Sequence, residues 1–228
     1  GVAGAQHLPP LDRSLPKRAE AMYRAVAPRV DVEGAMDIVS RMAPLWRLAG
    51  NTQFDQSLEW IAQRLQSAGI ATRYDTIPSN SQGWEMREAV LRLDGPDGEV
   101  VLSREQDRVP LAINSFPTPE GGLTAVLVDV GRGTDAADYE GKGVKGAVVL
   151  ADGPIGAVWN QAVKARGAAG VVSTQIAPYT RPETTPEVLQ WGSIPYEAEG
   201  ASFGFKATPR AARRLRERLA RPQAAART

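Results

Sequence analysis

The sequence predicts an α/β (mixed α+β) fold, with helices first and a sheet flanked by short helices after them, and three observations carry that expectation. The first half places apolar residues at helical spacing between Asp, Thr, Pro and Gly punctuation. The second half holds short, nearly continuous apolar runs rich in β-branched residues, as strands covered on both faces require. Two of those runs flank one amphipathic stretch, giving a strand–helix–strand crossover, and such crossovers join parallel neighbours of one sheet.

Residues 1–15 contain Pro and Gly without periodicity and read as a loose arm. Pro16 stands where a first helical residue would, and good helix formers follow until Pro28. Asp31 is placed to cap a second helix with Val32, Ala35, Met36, Val39 and Met42 on one face, ending near Pro44. The clearest helix runs from Thr52 to about Ala68. Phe54, Leu58, Ile61, Ala62 and Leu65 form its stripe, Gly69 stops it, and Thr52 with Asp55 has the spacing of a capping box. Strands are expected at 71–77, 84–93 and 99–103, the last two joined by the turn DGPDG, Asp94 to Gly98.

LTAVLVDV (123–130), AVVLA (147–151) and GVVS (170–173) are the buried strands, and GPIGAVWNQAVKAR is the crossover, its stripe formed by Val158, Trp159, Ala162 and Val163. A Pro- and Thr-rich loop fills 177–195. FGFKATP then leads through Thr208 as cap and Pro209 at the first turn into a final helix with Ala212, Leu215 and Leu219 inside.

Composition narrows the chemistry. At 228 residues with 43% apolar and 23% charged side chains, the chain is an ordinary folding sequence with room for a sizeable core. A net charge of +1 draws it neither to nucleic acid nor to an anionic membrane, and no apolar run reaches the ~20 residues that span a bilayer. Eight Lys/Arg against one acid between Lys206 and Arg227 read as the solvated face of a helix and a loose tail over 221–228. The small-residue start GVAGAQ has the look of a stub left by signal-peptide cleavage, so an extracytoplasmic location, secreted or periplasmic, is expected.

With no cysteine and one histidine, His7 in the arm, there is no thiolate metal site, no cysteine nucleophile and no zinc ligand set. No GxSxG elbow accompanies a base, which points away from serine hydrolysis. The acidic turn at 94–99 lacks EF-hand spacing. GRGTDA, Gly131 to Ala136, matches the dinucleotide fingerprint after a strand, but Gly141 and Gly143 interrupt the helix it needs. Hence no catalytic residue and no metal ligand is assigned. Tyr179, Arg181 and Trp191 in the long loop are the candidate substrate contacts, suited to a peptide or a carboxylate. A structural role competes with that reading, in which Trp191 and Tyr196 pin the loop to the sheet.

DYEGKGVKGAVVLADG followed by NQAVKARGAAGVVS resembles the protease-associated (PA) domain, whose pattern is a glycine-flanked GKIVL-like strand, a helix with an alanine-rich end and a GAAGVI-like strand entry. Gly146-Ala147 stands where that pattern has Gly-Lys. RLAGNTQFDQSLEWIAQRLQSAGI is similar to the N-terminal helix of zinc aminopeptidase and glutamate-carboxypeptidase-like metallopeptidases, and WGSIPYEAEGASFGFKATPRAARRL to the close of their PA insert. The resemblance covers most of residues 35–219. It implies an N-terminal helical segment over 16–93 and a PA-type domain over 94–220 with a mixed sheet or open barrel. It further implies a non-catalytic, substrate-selecting or lid role beside a downstream peptidase domain of the same gene product that carries the zinc, with peptides as substrates. The other reading is a free-standing PA-type module that binds protein or peptide without peptidase activity. Under the first reading the stripe of helix 52–68 docks on the catalytic domain, and in this chain it is expected to be unusually exposed or paired with another chain.

Overall fold

The computed structural model of the chain describes residues 16–78, 83–94, 98–197, 200 and 202–220. The His7 arm, the centre of the 94–98 turn and the 221–228 tail lie outside them. The chain divides into two compact units: the described residues up to Arg47 with Gln53–Tyr74, and Leu48–Thr52 with the described residues from Asp75 onward. The expected division after residue 93 falls inside a hairpin of the second unit.

The first unit is helical. Helix α1 spans Lys17–Val26 behind Pro16 and passes into a 3₁₀ turn, Ala27–Arg29. Helix α2 spans Val32–Met42, and the Asp31 carboxylate accepts from the Gly34 amide at 2.9 Å, the cap the sequence called for. Helix α3 spans Thr52–Ser67 and stops at Gly69, whose φ of +77° only glycine adopts without strain. Thr52 is already helical, so it is not the cap; its amide donates at 3.0 Å to Glu85, far away in sequence. The expected strand at 71–77 does not form. A strand needs a neighbour's backbone, whereas here side chains tie the segment to α3, Gln66 to Thr72 at 2.7 Å and the Tyr74 hydroxyl to the Leu58 carbonyl at 3.5 Å.

The second unit holds both sheets. Strand β1 (Val90–Arg92) pairs antiparallel with β2 (Val100–Ser103), shorter than the expected runs because residues 84–89 tuck Met86 and Ala89 inward without a ladder. A short helix α4, Arg104–Asp107, follows, capped by Ser103. Strands β3 (Leu127–Asp129), β4 (Val148–Ala151), β5 (Gly170–Ser173) and β6 (Phe203–Lys206) form a parallel sheet in that order. Leu111 adds an antiparallel bridge at Phe205, so the sheet is mixed at that edge.

The crossover behaves as its stripe predicts, with one change of winding. Helix α5, Ile155–Trp159, loosens into a π turn over Asn160–Lys164. Val158, Trp159 and Ala162 are buried against β4 and β5, and the Trp159 indole N–H donates to Ser202 Oγ at 2.8 Å, satisfying its one polar atom. Helix α6, Pro209–Ala220, closes the described chain, its Ala211 amide accepted by Thr208 Oγ1 at 3.1 Å. Ala211, Ala212 and Leu215 are buried; Leu219, expected inside, is exposed in the last turn.

Candidate functional site

In a parallel sheet the strands' carboxyl ends open onto loops, and ligands of α/β proteins bind there. Here that end carries two polar groups on opposite faces, because side chains alternate along a strand. On one face lie Ser173 and Lys206, cross-strand partners. On the other lie Asp129, Asp152 and Thr174.

Lys206 is the less ordinary. It is only 4% exposed, and its ammonium donates to Ser173 Oγ at 3.3 Å and to the Gln175 carbonyl, with no carboxylate partner among the described residues. Ser173 in turn donates to the Gly153 carbonyl at 2.9 Å. Burial pushes the lysine down from the usual value to about 8. The sequence reading placed Lys206 on a solvated helix face, and the structure corrects this. It precedes α6, as the last residue of β6, whose four residues are buried on both faces of the sheet.

On the other face Arg216 of α6 reaches both carboxylates, Asp129 at 2.9 Å and Asp152 at 2.8 Å. Burial raises the Asp152 carboxyl, but the Thr174 hydroxyl and Arg216 outweigh it and hold it below its ordinary value. This is a clamp of α6 onto β3 and β4, with its carboxylates already engaged. Arg210 and Arg214 are likewise paired, with Glu187 and Glu99. Three arginines of the basic run are therefore held in separate ion pairs.

The segment 175–194 arches from β5 over the same end. The Gln190 side chain fastens it, accepting from the Ala177 amide at 2.8 Å and donating to the Tyr179 hydroxyl at 2.9 Å. Tyr179, in the 3₁₀ turn Pro178–Thr180, is thus tied to Gln190, the neighbour of Trp191 in sequence, yet both aromatics face solvent, 81% and 66% exposed. Arg181 sits between them in sequence at φ +52°, exposed and outside any ion pair among the described residues. Trp191 does not pin the loop, contrary to the competing structural reading. The pins are its neighbours: Gly192, whose absent Cβ would meet Ile155 at 3.0 Å and the Lys206 chain at 3.1 Å, and buried Ile194. Both bond through their backbones to Ile113. Tyr196 contributes partly, stacked on Phe116 at 6.0 Å while half-exposed.

The Gly131–Ala136 turn is occupied by its own chain. The Thr134 and Asp135 amides, which a phosphate would need, donate to the Asp138 carboxylate at 3.0 and 3.1 Å. Gly133, at φ +72°, has room for no Cβ, since one would lie 2.8 Å from the Ala151 Cβ. The motif is a packing turn.

No family model matches the chain, and no curated protein does. Among solved structures it is similar to a peptidase M28 precursor from Shewanella amazonensis SB2B, at 18% identity and TM-score 0.55, over 89% of this chain and 47% of that one. It is also similar to a zinc aminopeptidase from Bacillus subtilis, at 18% identity and TM-score 0.50, over 90% of this chain and 42% of that one. The chain spans less than half the length of these proteins. At such identity the likeness establishes a shared fold. A zinc ion does not fit the described residues, among which no three His, Cys, Asp or Glu side chains gather.

Proposed function

We propose that the chain is the non-catalytic N-terminal and PA-type portion of a zinc-dependent exopeptidase, aminopeptidase-like and exported, acting as the substrate-selecting or lid region beside a downstream catalytic domain. The observation that carries this reading is the stripe of α3. Leu58, Ile61 and Leu65 each remain more than a third exposed, and on α2 Met36, Ile38 and Val39 do as well. Single exposed leucines are normal, but runs on two consecutive helices mark surfaces that a partner covers. The fold shared with part of two peptidase chains supports a peptidase domain as that partner.

In this reading Tyr179, Arg181 and Trp191 contact the peptide. The aromatic faces offer apolar area and the unpaired guanidinium a fork for a terminal carboxylate. No bond-breaking step is assigned to residues of this chain, and zinc chemistry belongs to the proposed catalytic domain. The test is an aminopeptidase assay with zinc on residues 1–228 and on the product of a reading frame extended past residue 228. Turnover is expected from the second alone, and Trp191→Ala in it should raise KM more than it lowers kcat. Robust turnover by residues 1–228 alone overturns the proposal. An extended product without activity favours the binding-module reading.

A further inference from the structure

The two edges of the parallel sheet end differently. Beyond β6 the backbone is covered: Ala112 donates to the Gly204 carbonyl at 2.7 Å, and Lys206 donates to Pro110 at 2.7 Å. Beyond β3 there is no such cover among the described residues. The Val126 carbonyl accepts from Val148 at 2.9 Å and the Val130 amide donates to Leu150 at 3.0 Å, both towards β4. In a parallel ladder one residue turns its N–H and C=O to one neighbour and the next turns its pair the other way. Val126, Val128 and Val130 therefore serve β4. Leu127 and Asp129 present their backbone groups to the open side, where neither makes a backbone hydrogen bond among the described residues.

The side chains reinforce the point. Val126, 70% exposed, stands at this edge, and Leu123 upstream is half-exposed. Natural edges are usually blunted by short length, lysine, proline or a bulge, and β3, at three residues, has only the first of these. LTAVLVDV contains no proline and no lysine, and its one charge, Asp129, is engaged by Arg216. Alternating donors and acceptors at strand spacing are complementary to another extended backbone, and to neither a helix nor a small anion.

We propose that the outer edge of β3 is a docking site for an extended peptide segment, which adds to the sheet as a further strand beside Leu127 and Asp129. The segment carries β-branched or apolar residues at alternate positions, to lie against Val126, and no proline where its amides must donate. This rests on the edge strand β3 and is independent of the peptidase reading.

The probe is a short fluorescent peptide of alternating valine and threonine with lysine at each end, titrated by anisotropy into residues 1–228. Saturable binding is expected. N-methylation of the peptide's alternate amides should weaken it about tenfold, as the loss of two ladder hydrogen bonds would. On saturation, hydrogen exchange at the Leu127 and Asp129 amides should slow while that at Val128, already bonded to β4, stays as it was. Leu127→Pro removes an outward donor and no bond to β4, and should bring binding to background with the circular dichroism unchanged. If that variant misfolds, the N-methylated peptide on the unaltered protein decides. Absence of binding, equal binding of the N-methylated peptide, or protection appearing elsewhere overturns the proposal. So does peptide-free, concentration-dependent protection of the same amides with dimerisation, which would assign the edge to a second copy.

Discussion

The two units of this chain place their apolar residues in opposite ways. In the second, Val149, Val158, Trp159, Val171 and Ile194 close on one another into a core with almost no exposure, and each buried polar side-chain atom described has a partner. In the first, helices of good amphipathic pattern leave Met22, Val26, Met36, Val39 and Leu58 in solvent. Both segments meet the sequence rules for regular structure. Periodicity shows that an element has an apolar face, and it is silent about whether the same chain supplies the surface that covers it.

The comparison is most sharply tested at paired leucines. Leu150→Ala removes a side chain with no exposure and should cost about 4 kcal/mol, whereas Leu58→Ala should cost under about 1 kcal/mol, in urea unfolding followed by circular dichroism. Equal losses would mean that the first unit has a core as closed as the second. Next comes Gly153→Ala, whose new Cβ would sit 2.4 Å from the Arg132 carbonyl oxygen and 2.7 Å from Thr134 Cγ2. The backbone cannot yield cheaply there, and a loss of about 3 kcal/mol is expected. Gly69, with open space around it, is the matched site in the first unit, where Gly→Ala meets only the strain of its positive φ, about 1 kcal/mol.

The pH dependence is next in size. Lys206 titrates near 8 when folded and in its ordinary range when unfolded. Between these values the unfolded chain binds more protons, so stability rises with pH, by about 2 kcal/mol from pH 7 to 10. Tyr139 acts in the opposite sense. Burial pushes its hydroxyl up to about 12, so its contribution is lost as pH climbs from 10 towards 12. A stability maximum near pH 10 is expected, and Lys206→Met should flatten the rising limb. A limb unchanged in that variant would show that the amine does not titrate as its burial demands. Smallest is Arg216→Ala, about 1 kcal/mol, since its own side chain is more than a third exposed and its ion pairs are screened.

What could be read beforehand follows the range of the forces involved. Caps at Asp31 and Thr208 and the crossover stripe of Val158, Trp159 and Ala162 are local, and the structure contains them. The strand at 71–77 failed because pairing is non-local: alternation within a segment does not provide a neighbour. A proline-rich loop needs anchors, which makes Trp191 a natural candidate, but the docking is done by the backbone of Gly192 and Ile194, which side-chain pattern does not reveal. Lys206 was missed for a related reason. Its place at the end of FGFK, a run buried on both faces of the sheet, is the available signal, and its basic neighbours in the following helix mask it.

The enclosed amine at the end of β6 also supplies a clock. In the intact fold, acylating reagents at neutral pH will reach surface lysines such as Lys142 and Lys145 and leave Lys206 untouched. Its slow labelling, read by mass spectrometry, will therefore record each excursion in which the carboxyl end of this sheet comes apart, in a chain with no thiol to report it.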